Sequence, residues 1–161
     1  MRARVLLLSI NRCEAPYPVF PLGLAYIDSA LRQAGYETRL VDCEVDQTEI
    51  AEVVAGFQPD FVGVSLRNID DVMIKKRETF FDGLASLCRD LRRQSKCPIV
   101  LGGSGFSIFP CELLEMSGAD FGIHGEGEMS LLALLEALEN KSDYSDIPGL
   151  VFHRAGRIHC R

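Results

Sequence analysis

The sequence predicts an α/β fold in which a parallel sheet is covered on both faces by helices, a doubly wound arrangement. Three observations predict it. Short apolar runs suited to buried strands alternate along the chain with segments whose apolar residues recur every three to four positions. The runs at 98–101 and 120–123 both end in glycine-rich turns, Gly102-Gly103 and Gly125-Glu126-Gly127-Glu128. In open sheets of this kind ligands sit beyond the carboxyl ends of the strands, where such turns lie. Finally, the 161 residues are 47% hydrophobic, enough for one core and most simply one domain.

The first strand falls at 4–10, whose nearly unbroken apolar run suits a central parallel strand. Leu22 to Gln33 follows as a helix with Leu24, Ile27 and Leu31 on one face and Gly35 as its stop. A strand at 38–41 comes next, then a helix capped by Asp46 that carries Ile50, Val53 and Val54 and ends before Pro59. Phe61 to Ser65 supplies the third strand. The polar stretch 67–76 is the longest insertion, and helical spacing resumes through Phe80, Leu84, Leu87 and Leu91. The fourth strand, 98–101, leads to a short helix holding Leu113 and Leu114, and the fifth, 120–123, to a long helix at 129–139. Five strands alternating with five helices predict a five-stranded parallel sheet in the flavodoxin-like order 2-1-3-4-5. Its crevice would open beyond strands one and three, with both glycine turns on that edge. After a linker-like stretch at 140–146, Ile147 to Phe152 and Arg157-Ile158 flank Ala155-Gly156 as a short C-terminal hairpin. The expected division is therefore 1–140 as the α/β domain and 141–161 as linker and hairpin.

Charge and cysteines narrow the function classes. The net charge is −6 with both signs interspersed, so no basic patch points to nucleic acid or an anionic membrane. The start, MRARVLLLSI, lacks a small-residue cleavage site and gives way to a polar loop, which fits a first strand better than a secretory signal. No apolar stretch approaches the roughly 20 residues that span a bilayer, and a soluble, cytoplasmic protein is expected. Six cysteines without a secretory signal read as reduced thiols. None form a CxxC knuckle, and Cys88 and Cys97 are expected in the core. Cys13 differs because it would sit in the loop after the first strand, on the ligand rim, although Glu14 beside it does not favour a thiolate.

The candidate binding residues each carry a bland reading beside the functional one. At Gly102 and Gly103 the backbone loses its side chains, so something flat or threaded could lie against it; taken alone, the pair is a tight strand-to-helix turn. Ser65 offers a hydroxyl at a strand end, where local capping is common. Glu126 and Glu128 precede a helix, whose dipole welcomes negative charge without any ligand. His124 could ligate a metal or simply be hydrogen-bonded. What favours a site is that the glycine and serine signals converge on one rim.

Taken together, three motifs carry a family resemblance. Val64-Ser65-Leu66-Arg67-Asn68-Ile69-Asp70 follows the third strand, Leu101-Gly102-Gly103-Ser104-Gly105-Phe106-Ser107 the fourth, and Gly125-Glu126-Gly127-Glu128 the fifth, with Pro21-Leu22-Gly23-Leu24 opening the first helix. This ordered set resembles the N-terminal cobalamin-binding domain of radical S-adenosylmethionine proteins over essentially the whole chain. The resemblance implies a cofactor whose nucleotide tail threads a slot beside the sheet while the corrin ring lies across the strand ends. It implies that Ser65 meets the tail base, that Leu66 packs on the tail or the sheet, and that Gly102 and Gly103 let the tail pass, with Arg67, Ser104 and Gly105 continuing the surface. Gly125, Glu126, Gly127 and Glu128 would meet the corrin edge, with His124 beside them as a further cofactor-binding candidate, and the loop from Asn11 through Cys13 to Pro16, with Tyr17, would cover the lower face.

Two absences qualify that picture. Many cobalamin domains place Asp-x-His-x-x-Gly after the first strand, but here the loop reads Asn11-Arg12-Cys13-Glu14-Ala15-Pro16, without a histidine for cobalt. The resemblance then favours methyl-transfer or electron-transfer chemistry over isomerase chemistry. The CxxxCxxC cluster motif of radical S-adenosylmethionine enzymes is also missing. No catalytic residue is assigned, and S-adenosylmethionine and the iron–sulfur cluster are expected on a C-terminal catalytic domain outside this chain. Two other classes compete: a flavin- or nucleotide-binding domain, for which Gly102 to Gly105 is superficially a phosphate turn, and a non-catalytic docking or receiver-like domain. A receiver would need acidic residues where the chain has Asn11 and Ser65.

Overall fold

The computed structural model describes residues 2–10, 19–43, 45–46, 48–67 and 77–161. Its elements in chain order are β1 (Arg4–Ser9), α1 (Leu22–Gln33), β2 (Glu37–Asp42), α2 (Ile50–Phe57), β3 (Phe61–Ser65), α3 (Arg77–Gln94), β4 (Ile99–Gly102), α4 (Pro110–Ser117), β5 (Phe121–Ile123), α5 (Glu128–Asn140), β6 (Leu150–Arg154) and β7 (Arg157–Cys160). A 3-10 turn at Phe106–Ile108 precedes α4. Strands β2-β1-β3-β4-β5 are parallel and adjacent in that order. The α/β class and the crossover pattern follow the alternation of the sequence.

The strand count does not. The sheet has seven strands, because the C-terminal hairpin is not an appendage: β6 pairs antiparallel with β5 and β7 with β6. The reason lies in Leu150, Val151 and Phe152, all at most 2% exposed. Three consecutive large apolar residues bury both faces of a strand only if it joins the sheet. The hairpin closes through Ala155 (φ 52°) and Gly156 (φ 74°), a two-residue turn with both central φ positive that matches the twist of the strands. The start of α2 also differs from expectation. Glu49 stands at its N-cap without a side-chain bond, while the Asp46 carboxylate accepts the Thr48 amide at 3.0 Å in a local turn.

Because successive side chains of a strand point to opposite faces, the sheet carries two cores. On one face Leu6, Leu8, Val62, Val64 and Leu101 pack against Val53 and Val54 of α2, Leu84, Cys88 and Leu91 of α3, and Leu113 and Leu114 of α4. On the other, Val5, Leu7, Phe61, Val100 and Phe121 meet Leu24 and Leu31 of α1 and Leu131, Leu134 and Leu135 of α5. Cys88 lies in the first core, and burial pushes its thiol up to about 11. Cys111 of α4 and Cys160 of β7 are neighbours, and burial, with the Cys160 thiol beside it, pushes the Cys111 thiol up. Cys88, Cys97, Cys111 and Cys160 are free thiols. No helix among the described residues is long and apolar enough to cross a membrane.

Candidate functional site

A cleft of about 360 Å³ opens at the carboxyl ends of the parallel strands, between the sheet and the N-terminal halves of α1 and α5. Strand register explains why it exists. Residues Leu7, Gly63 and Val100 stand abreast in β1, β3 and β4, and two positions further on stand Ser9, Ser65 and Gly102. Both rows point toward the α1/α5 face. Along β3 this face goes from Phe61 to Gly63 to Ser65, so side-chain volume shrinks just where the helices begin. Leu24 and Ile27 of α1 and Leu131 of α5 form the walls. The hydroxyls of Ser9 and Ser65 face this space and make no hydrogen bond to any described residue, although Ser9 is only 8% exposed.

The rim is built by three loops. After β3, the Arg67 guanidinium donates to the Val19 carbonyl at 3.1 Å, which holds it beside the approach to α1. After β4, the Ser104 hydroxyl donates to the Arg67 carbonyl at 2.8 Å, and the amides of Leu66 and Gly105 bond to the carbonyls of Gly102 and Leu66. Ser107 then ties this loop to the one after β5: its hydroxyl donates to the Gly103 carbonyl at 3.0 Å and accepts the Gly125 amide at 2.9 Å. Neither α1 nor α5 has a side-chain N-cap bond, and although the Leu22 amide bonds to the Phe20 carbonyl, the dipole-positive ends of both helices lie at the mouth. Glu126 and Glu128 on the rim bring negative charge to the same place.

The structure brings most of the sequence-derived candidates together: Ser65, Arg67, Gly102, Gly103, Ser104, Gly125, Glu126, Gly127 and Glu128 all line the cleft. Three candidates lie elsewhere. Leu66 is fully buried among the α2, α3 and α4 contacts, because it follows Ser65 by one residue and so points to the opposite face. Gly105 is buried behind the rim, bonded to the Leu66 carbonyl. His124 donates from Nε2 to the Arg161 carbonyl at 2.8 Å, and its amide bonds to Gly149, so the C-terminal segment occupies it. Asn11 and Cys13 lie outside the described residues, as do Asn68, Ile69 and Asp70.

Gly103 lines the cleft for a reason of its own. At φ 98°, a Cβ there would come within 2.3 Å of the Leu66 carbonyl oxygen. The local turn demands glycine before any ligand does. Gly102 is the opposite case, since a Cβ would meet only the Ile123 carbonyl, at 3.6 Å. Nothing in the protein forbids a side chain at 102; the cleft would simply be narrower. Sequence reasoning missed Ser9, Gly63, Leu131 and the bridging Ser107, although the period of two in β1 and β3 puts Ser9 and Gly63 on the same face as Ser65.

Residues 8–135 match the B12 binding domain family. The chain belongs to that family. This B12-binding domain is 32% identical over 151 residues to the tryptophan 2-C-methyltransferase of Streptomyces laurentii, covering 90% of the chain and 25% of that enzyme. It is 29% identical over 137 residues to the hopanoid C-3 methylase of Methylococcus capsulatus, covering 81% of the chain and 24% of that enzyme. Among solved structures it superposes with a TM-score of 0.84 and 29% identity on the radical S-adenosylmethionine methyltransferase TsrM from Kitasatospora setae, determined with cobalamin and a [4Fe-4S] cluster bound. That match covers 99% of the B12-binding domain and 31% of TsrM. The domain thus spans between a quarter and a third of the length of these relatives. Its family sets aside the flavin, nucleotide and receiver readings.

Proposed function

We propose that this domain carries cobalamin, with the nucleotide tail in the cleft against α1 and α5 and the corrin ring over the strand ends beside Gly125 to Glu128. The observation that carries this reading is the taper of the sheet on its α1/α5 face, where Ser9, Ser65 and Gly102 leave a cleft beyond Leu7, Gly63 and Val100. The residues suit such a group. Leu7, Val100 and Leu131 offer an apolar bed for a flat base, and Ser9 and Ser65 present two unpartnered hydroxyls to its polar atoms. At the rim, Glu126 and Glu128 are placed to accept from the amides that edge a corrin ring.

When bound, cobalamin supplies a metal centre that can accept and hand on a methyl group. The chain's own part is to bind and orient. The cleft holds the tail away from water, and the loop from Asn11 to Pro16 carries no histidine to offer the lower face of the metal. By similarity to the methyltransferases above, we place the methyl transfer itself, with its S-adenosylmethionine and iron–sulfur cluster, on a radical S-adenosylmethionine domain of the same polypeptide, beyond these 161 residues. Within the chain we assign 1–140 to the cofactor-binding part and 141–161 to the linker and hairpin that complete the edge of the same sheet and lead toward that partner. The setting we propose is the cytoplasm, where thiols such as Cys97 and Cys160 stay reduced.

The test is a hydroxocobalamin titration followed by desalting and absorbance spectroscopy. The wild-type chain is expected to retain tail-displaced cofactor. Gly102→Leu, which fills the cleft and whose Cβ meets the Ile123 carbonyl only at ordinary contact distance, is expected to abolish retention while leaving the melting temperature within a few degrees. A wild-type chain that desalts colourless, or a Gly102→Leu variant that retains cobalamin as well as wild type, would overturn the reading.

A further inference from the structure

Two rows of residues line the sheet side of the cleft, and they differ in chemistry. The row nearer the mouth holds Ser9, Ser65 and Gly102; the deeper one holds Leu7, Gly63 and Val100. The rows are two residues apart along each strand, about 7 Å. Leu24, Ile27 and Leu131 close the sides of the cleft. Among the described residues, no side chain of the deeper row can donate or accept a hydrogen bond. The backbone offers none either, because the amides and carbonyls of β1, β3 and β4 lie in the plane of the sheet and are engaged in its ladder.

Resting on the cofactor reading above, we infer that this cleft selects the lower base of the corrinoid, accepting a benzimidazole with an apolar outer edge and discriminating against a purine. Natural corrinoids share the ring and the ribose phosphate and differ in that base. Both base types are fused bicycles with the same five-membered ring; with the tail entering ribose last, that ring would stand level with the serine hydroxyls, which could not tell the two apart, and the six-membered ring would enter deepest. In dimethylbenzimidazole it presents two methyl groups, which gain from contact with Leu7, Val100 and Leu131. In adenine it presents an exocyclic amine and two ring nitrogens, which leave water and find no partner. A buried polar group left unsatisfied costs enough to weaken binding by about ten- to a hundredfold. Gly63 sharpens the effect: a Cβ there would stand 2.9 Å from Leu7 Cδ2, so the floor is already filled by leucine and leaves no gap for a bridging water.

The experiment compares three corrinoids on the wild-type chain by equilibrium absorbance titration: cobalamin, its adenine-based counterpart, and cobinamide, which has no base. Cobalamin is expected to bind at least about tenfold more tightly than the adenine form, and cobinamide more weakly than cobalamin. In Val100→Thr, nearly isosteric but carrying a hydroxyl at the floor, the preference is expected to narrow by about threefold or more. Equal affinity for cobalamin and the adenine form would overturn the selectivity and leave the cofactor reading standing. Cobinamide binding as tightly as cobalamin would overturn the use of the cleft for a base. An unchanged preference in Val100→Thr would remove the selectivity from the deep row, and failure of all three to bind would overturn the cofactor reading itself.

Discussion

The two faces of the sheet are made by the same strands and end differently. On the face covered by α2, α3 and α4, side chains stay large to the carboxyl ends of the strands: Leu8, Val64 and Leu101 stand abreast, and beyond them Leu66 and Phe106 fill the last space. Phe106 fits because residue 122 is glycine, where a Cβ would fall 2.2 Å from its ring. On the face covered by α1 and α5, the neighbouring positions shrink to Gly63, Ser9, Ser65 and Gly102, and a cleft remains. Alternation lets one strand serve both ends: the even positions of β1 complete one core, and the odd ones build a second core with Val5 and Leu7 before opening into the cleft at Ser9. A cavity of this kind is therefore written into every second residue, and the intervening residues supply the stability that offsets it.

This contrast can be broken from the packed side. Phe106→Ala removes a fully buried ring that supports the sheet from below the rim, and a loss of about 3–5 kcal/mol is expected by urea denaturation. A loss under about 1 kcal/mol would mean that the packed face is as loosely filled as the open one. Cys88 gives a second probe of the same face. Its folded thiol is raised to about 11 from an ordinary value near 9, so the folded state favours the protonated form. The stability this contributes is complete below about pH 9 and is lost as pH rises through 11. Melting temperature is expected to fall across that window, and to fall less in Cys88→Ala, compared with its own value at pH 8. The smallest effect is a control remote from both faces. Ala155 holds a positive φ in the hairpin turn, and Ala155→Gly is expected to stabilise the chain by a few tenths to about 1 kcal/mol in the same denaturation assay without changing cobalamin retention.

Much of this was legible in the residues. Helix α1 and strand β3 occupy the spans that apolar spacing assigns them, Leu22–Gln33 and Phe61–Ser65, because both carry unambiguous periods and clear stops. The rim was legible for a similar reason: glycine and serine at strand ends interrupt an apolar pattern and so stand out. The floor of the cleft was not, since Leu7 and Val100 are indistinguishable in sequence from core residues. Whether they face a helix or a cleft depends on how far α1 and α5 reach along the sheet. The hairpin was found but its place was not, because pairing with β5 is a long-range choice that local turn chemistry does not encode. Leu66 shows the cost of reading a motif as a block, for adjacent residues at a strand end serve opposite faces.

Ser107 has a wider reach than its size indicates. One hydroxyl spends its proton on the Gly103 carbonyl and its lone pair on the Gly125 amide, residues from loops that follow different strands. The two loops consequently form a single lip. An amide at position 125 keeps its hydrogen only while the loop after β4 is in place, so its exchange with solvent serves as a gauge of a turn more than twenty residues earlier in the chain. Anything that presses on one side of the mouth is felt on the other through a single oxygen atom.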